Sequence, residues 1–218
     1  MLIIPPERKS NSSEEHVKDL LSEINWKDAP QARAYWSLLI PEHETKPWSE
    51  CDFIIAWDRA LICLEVKGGH SISCSEGIWK YTNAEGKSFH KSESPMHQVS
   101  TCSAAIRRKL KNELGTETVN KFIIGWGVVF PYHDFHEISG FEFDTSTAID
   151  KSGINQSGLG GFIKNLEAHW RDKINTHSNL GANKEECAKT FKYLRGEFEL
   201  IRPISSYIEE YEKKIFIA

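Results

Sequence analysis

CDFIIAWDRALICLEVKGG, residues 51–69, holds the pattern that decides the fold. Asp52–Asp58 (DFIIAWD) and Ala60–Lys67 (ALICLEVK) are two β-rich runs, and Asp58-Arg59 between them offers a tight turn, so the stretch reads as a hairpin. Alternate side chains of a strand share a face, so Glu65 and Lys67 point the same way while Val66 points into the core. Simple pairing about the turn sets Asp52 opposite roughly positions 65 to 67. Two carboxylates and an ammonium then meet at one edge of a sheet. Gly68-Gly69 breaks the second run, and the missing side chains let another segment of backbone come close.

Upstream, SSEEHVKDLLSEI (residues 12–24) places Val17, Leu20, Leu21 and Ile24 on one helical face. Ser12 or Ser13 is the expected cap, with acids in the first turn near the positive end of the helix dipole. Residues 1–11 are polar and proline-bearing and read as a lead-in; Ala34–Ile40 reads as a strand. Downstream a second ribbon is expected: Ser71–Cys74, Ile78–Thr82 and Lys87–His90, joined by turns at 75–77 and 83–86. Pro95 opens an amphipathic helix to about Leu114, with Val99, Cys102, Ile106 and Leu110 inward. FIIGWGVVF (122–130) is nearly all apolar, the mark of a strand covered on both sides. Residues 132–160 read as loop with short strand pieces at Phe141–Phe143 and Thr147–Ile149. Leu159–Thr176, Lys184–Arg195 and Ile204–Ile217 read as helices. The order predicts an α/β domain with a mixed sheet.

Composition narrows the class. The chain has 218 residues, 39% of them apolar, enough for one well-buried domain and a modest extension. No apolar run approaches bilayer length, and MLIIPPERKS lacks the plan of a signal peptide, so a cytoplasmic protein is expected. Five cysteines with no CxxC pair argue against a disulfide framework and a zinc ribbon, and Cys63 reads as a small buried thiol. His133 and His136 in YHDFH fit a polar loop better than a metal site. The net charge of −4 neither announces nor excludes a nucleic-acid binder, although IRRKLK (106–111) is basic.

The trio Asp52, Glu65 and Lys67 carries chemistry. Two carboxylates side by side suit a hard divalent cation such as Mg²⁺, which lowers the pKa of a bound water and screens charge on a phosphate. A neighbouring lysine orients or deprotonates that water, or stabilises the phosphate. A bare E-x-K also occurs by chance as a pair of solvent-facing residues. The buried run before it and the glycine pair behind it are what distinguish this one.

Taken with GIWKYTNAEGKSFHKSESPMHQ (77–98), the hairpin resembles the nuclease-related domain (NERD) family of the PD-(D/E)xK, restriction-endonuclease-like superfamily, over about residues 12–130. The resemblance implies an α/β fold with an αβββαβ core, a mixed central sheet flanked by helices, and a C-terminal helical extension. It divides the chain into a lead-in (1–11), a nuclease core (12–150) and an extension or linker (151–218). Matched position by position, Asp52 and Glu65 bind the metal with the Val66 carbonyl, Lys67 completes the E-x-K, and Gln98 follows Pro95. Glu14 matches the acid of the first helix and supports the metal, with Glu15 as its rival. Gln98 either contacts the DNA backbone or positions the lysine. Two departures stand out: Cys51 precedes Asp52 where proline is the superfamily's namesake, and position 102 is Cys where some relatives carry Tyr.

The resemblance implies a Mg²⁺- or Mn²⁺-dependent deoxyribonuclease, set in bacterial DNA processing or defence against foreign DNA. Its partners would be DNA and, in longer relatives, a helicase domain in cis or in trans; no membrane is implied, and a homo-oligomer is compatible. SSYIEEYEKKIFIA (205–218) resembles the linker into such a helicase, but no G-x-x-x-x-G-K-[ST] occurs in the chain. The alternative from another class is a non-catalytic DNA-binding or protein-interaction module that keeps the fold.

Overall fold

The computed structural model describes residues 1–4, 11–41, 48–135, 143–174 and 180–196. A six-stranded sheet forms its centre. β3 (Trp48–Ala56) runs antiparallel to both of its neighbours, β2 (Arg33–Pro41) and β4 (Ala60–Val66). β8 (Ile123–Val129) lies parallel beside β4, and β9 (Ala148–Ile149) parallel beside β8. A parallel neighbour needs a long crossover. Here it includes a separate three-stranded ribbon, β5 (Ser71–Ser75), β6 (Ile78–Thr82) and β7 (Ser88–Lys91), then helix α2 (Pro95–Leu114) and the short α3 (Thr116–Val119).

Each face of the sheet is closed by helices. One core layer joins Leu61, Cys63 and Ile124 to Val99, Cys102, Ile106 and Leu110 of α2 and to Cys187, Phe191 and Leu194 of α5 (Lys184–Leu194). The other joins Phe53, Ile62 and Leu64 to Val17 and Leu21 of α1 (Ser12–Glu23) and to Phe162, Ile163 and Leu166 of α4 (Lys151–Ile174). Every residue of β4 is buried, as its place between two helical layers requires. Each large side chain sealed this way stabilises the fold by about 1.5–3 kcal/mol.

The mixed α/β architecture and its αβββαβ core are as the sequence predicts, with local corrections. Residues Leu2–Ile4, expected in a lead-in, form β1, a parallel partner of β2. Asn11, not Ser12 or Ser13, caps α1, its side chain accepting from the Ser13 and Glu14 amides at 3.0 Å; such a cap is worth about 1 kcal/mol. β3 starts at Trp48, four residues before the expected Asp52. Helix α4 starts at Lys151, inside what reads as loop, because Asp150 accepts from the Gly153 amide at 2.7 Å and starts the turn. Gly158 then adopts φ 69° and interrupts the helix where the sequence places its beginning. His136, the 141–142 part of the expected strand piece, and the terminal helix at 204–217 with its linker resemblance lie outside the described residues. All five cysteines are free thiols. Among the described residues no helix is long and apolar enough to cross a membrane.

Two glycines perform the close approach read from the sequence. A Cβ on Gly68 would stand 2.6 Å from the Ser13 Cβ, so the bare backbone lets the start of α1 settle against the end of β4. Gly69 has φ 127° and passes the Thr82 carbonyl, so the chain leaves the sheet and enters the ribbon in a turn that disfavours a side chain. The structure thus predicts that Gly68→Ala pushes α1 outward and costs about 1–3 kcal/mol. Thermal unfolding should show a melting point lower by roughly 2–10 °C.

Candidate active site

The site forms where β3 and β4 separate. Their ladder runs from Ala56↔Leu61 to Phe53↔Leu64 and stops, although the register would next pair Asp52 with Glu65. On the other side of β3, pairing with β2 runs to Trp36↔Phe53, omits Ser37 and Asp52, and resumes at Leu38↔Cys51. Ser37 has φ 53°, in the left-handed region that few non-glycine residues occupy. Alternation slips at this point in both strands. Trp36 and Phe53 belong to the α1/α4 layer, while Leu38 and Cys51, each two residues away, belong to the α2/α5 layer. A local irregularity of this kind re-aims a side chain.

Asp52 is what it re-aims. Its Oδ2 accepts from the Val66 amide at 2.7 Å, standing in for the ladder partner that β3 no longer supplies. The amide and carbonyl of a strand residue face the same neighbour, so the Val66 carbonyl faces this gap as well. Glu65 projects from the α2 face and is 2% exposed. Its Oε1 accepts from Lys67 Nζ, and that ammonium also donates to Gln98 Oε1 at 3.1 Å. Gln98 reaches it from the first turn of α2, which Pro95 opens and Ser94 caps through the His97 amide at 3.0 Å. Asp52, Glu65, Val66, Lys67 and Gln98 therefore lie together. Cys102, one turn beyond Gln98, packs against Ser49 Oγ at 3.1 Å in the core.

Glu14 occupies the margin. Trp36 Nε1 donates to its Oε2 at 3.1 Å and Asn11 Nδ2 donates to its Oε1, yet its charge still raises the pKa of both Asp52 and Glu65. Glu15, its rival, is exposed. Tyr81, which the sequence does not single out, arrives from β6, with Lys67 Nζ 5.8 Å from the centre of its ring. The cue was present in retrospect: Trp79 and Tyr81 share one face of a ribbon rooted at the Glu65–Lys67 end of β4.

Burial raises the Asp52 pKa well above the carboxylate range, and Glu65 adds to it; Lys67 and the Val66 amide pull the other way without prevailing. Burial likewise raises Glu65 against the opposing pull of Lys67. Burial works against the Lys67 ammonium, but Glu65 and Asp52 outweigh it and hold its pKa above the ordinary value. Lys67 thus acts on both carboxyl groups, and Lys91 on Glu65 as well, without offsetting the burial of either. Glu65 Oε2 is moreover buried and meets no donor among the described residues. An orphaned carboxylate oxygen, a second carboxylate beside it and a carbonyl in the same gap are the oxygen donors a hard divalent ion takes, so the residues present fit one. Among the described residues no three His, Cys, Asp or Glu side chains gather into a closed metal cage.

A family model described as nuclease-related domain matches residues 9–129, more than half of the 218-residue chain. No curated protein and no solved structure matches the chain.

A sign follows for stability. A carboxyl whose pKa is raised in the folded state stabilises the fold fully below its unfolded pKa, near 4, and that contribution is lost as pH rises through the folded value. Asp52→Asn keeps an oxygen for the Val66 amide and removes the charge. It should therefore melt higher than the parent near neutral pH without divalent ions and lose that advantage toward pH 4. Melting curves across this range check it; a variant less stable than the parent at neutral pH contradicts the balance of charge described.

Proposed function

The chain belongs to the nuclease-related domain family, and from that premise we propose that it hydrolyses phosphodiester bonds of DNA with a divalent cation, Mg²⁺ or Mn²⁺. The observation that carries the reading is the buried Glu65 beside the half-buried Asp52, both with raised pKa although Lys67 lies against them. Asp52, Glu65 and the Val66 carbonyl would hold the ion, with Glu14 supporting it from α1. Such an ion, when bound, lowers the pKa of an attached water and offsets charge on the phosphate.

The remaining groups have definite tasks. Glu65 and Asp52 hold the Lys67 pKa above its ordinary value against burial, so in the absence of the ion it is a donor aimed at the site, placed to orient the attacking water or a phosphate oxygen. Gln98 accepts from Lys67 at 3.1 Å and fixes the direction of that donor. Gln98 is thus a positioning residue toward the lysine. Its setting in bacterial DNA processing or defence, action in the cytoplasm, and a helicase partner in cis or in trans rest on the family relationship alone.

The test is direct. The purified protein is incubated with linear, circular and single-stranded DNA, with and without Mg²⁺ or Mn²⁺. Asp52→Ala and Lys67→Ala are expected to slow metal-dependent cleavage by about 10²–10³-fold or more while retaining the parent's circular dichroism. An excess of Mg²⁺ or Mn²⁺ at a hundred times its Kd should stabilise the parent by about 2.7 kcal/mol and Asp52→Ala far less. Cleavage that persists in both variants overturns the assignment.

A further inference from the structure

The ribbon β5–β7 carries chemistry that the metal site leaves unused. On β6, Trp79 and Tyr81 point to the same side, their rings 6.4 Å apart and within 19° of parallel. On β7, Phe89 stands opposite Tyr81 and Lys91 opposite Trp79, so the same face continues across the strand. The Lys91 charge reaches Glu65, where it lowers the carboxyl pKa against the effect of burial. Phe89 is 49% exposed, with Lys87 Nζ 5.2 Å from its ring centre. Flat rings and ammonium groups thus alternate over one surface that begins at Lys67.

Two details point to a ligand. The Tyr81 hydroxyl is buried and meets no partner among the described residues, although its ring lies over the catalytic ammonium. Burial pushes its pKa up to about 12, so it remains a donor at any working pH. Beyond Trp79 the face opens into a groove of about 380 Å³ whose lining includes Trp79, Glu93, Ser94, Met96, His97 and Trp126. Trp79 lines the groove and stacks on Tyr81, whose ring lies by Lys67, and two of the lining side chains are indoles. Duplex DNA keeps its base faces stacked inside, whereas an unpaired strand offers phosphates and free base faces together, and aromatic rings bind any base by stacking.

We propose that this face holds an unpaired DNA strand, with a base beside the scissile phosphate stacked on Trp79 and the Tyr81 hydroxyl donating a hydrogen bond to a phosphate oxygen. The proposal rests on the nuclease reading and names its substrate as single-stranded DNA. Tyr81 is on this account a catalytic residue, and Trp79 a determinant of strand preference.

Fluorescence anisotropy with labelled oligo-thymidylate and with a duplex of equal length, both without divalent ions, reads the binding. Trp79→Ala should weaken oligo-thymidylate binding about tenfold and Phe89→Ala by less, with duplex binding little changed. Trp79→Phe keeps a flat ring and should restore most of the loss, which separates stacking from collapse of the ribbon. Tyr81→Phe keeps the ring on Lys67 and removes only the hydroxyl; kcat should fall about tenfold or more with KM nearly constant. Unchanged oligo-thymidylate binding in Trp79→Ala, or an equal loss on duplex, overturns the strand site. Parental kcat in Tyr81→Phe overturns the hydroxyl's role. Binding that depends on Trp79 in a protein that cuts no DNA with Mg²⁺ or Mn²⁺ would sink the nuclease reading and leave the strand site standing.

Discussion

Where β3 and β4 part, the Val66 amide would lose its acceptor, and the Asp52 carboxylate takes the place at 2.7 Å. A buried amide left unpaired costs about 1–3 kcal/mol, so the fold is better off with a carboxylate at that position. The same bond holds Asp52 against the end of β4, one residue from Glu65 and beside the Val66 carbonyl. Sheet geometry alone would have placed Asp52 in the ladder and directed it to one of the two apolar layers. The left-handed Ser37 on β2 and the missing Ser37–Asp52 pair release it from that fate. Strain of about 1–3 kcal/mol at such a residue is tolerable because β2 is clamped on both sides of it, by Trp36↔Phe53 and Leu38↔Cys51.

The charges gathered there do not stabilise the metal-free fold. Glu65 is 2% exposed, and its link to Lys67 satisfies one oxygen only. Desolvation exceeds what the ammonium returns, which is why both carboxyl pKa values rise when a well-compensated pair would lower them. The surrounding apolar layers make up the deficit, and β4 can carry the arrangement because both of its faces are sealed. Stability is given up locally at these carboxyl groups, a cost that a bound cation would offset.

How much of this was readable from the chain depends on the range of each interaction. The hairpin, its two-residue turn at Asp58-Arg59, the shared face of Glu65 and Lys67, and the start of α2 at Pro95 follow from local periodicity and turn chemistry. The structure keeps them all, with Trp57 and Ala60 closing the turn at 2.9 Å. The Asn11 cap is not legible in the chain, because Ser12 and Ser13 compete for the same role and only the entry angle of the chain decides. The start of α4 was missed because Gly153, Gly158, Gly160 and Gly161 argue against a helix, and the Asp150 side chain that starts it acts through space. Nothing in the order of residues announces the slip at Ser37. It is a property of three strands together, and so is the bond from Trp36 that holds Glu14 at the rim.

Tyr81 shows how topology can enlarge a site that a motif only begins. The ribbon is inserted between the end of β4 at Val66 and the start of α2 at Pro95, and both of those ends carry site residues, Lys67 and Gln98. An insertion pinned at both ends beside one ammonium has little choice about what it covers. Gly69 turns the chain sharply at its root, and the His70 amide donates to the Thr82 carbonyl at 2.7 Å, which folds β6 back toward the site. In a strand that returns in this register, the residue before Thr82 is the one brought over Lys67. A tyrosine there contributes a ring that tolerates the ammonium and a hydroxyl whose partner must come from outside the protein's own described groups. The carboxylates are thus fixed by the rigid sheet, while the surface opposite them belongs to a ribbon that contributes little to the core. On the proposed reading chemistry and recognition would sit on separate elements, so the recognising face could change in sequence without disturbing the groups that would hold the cation.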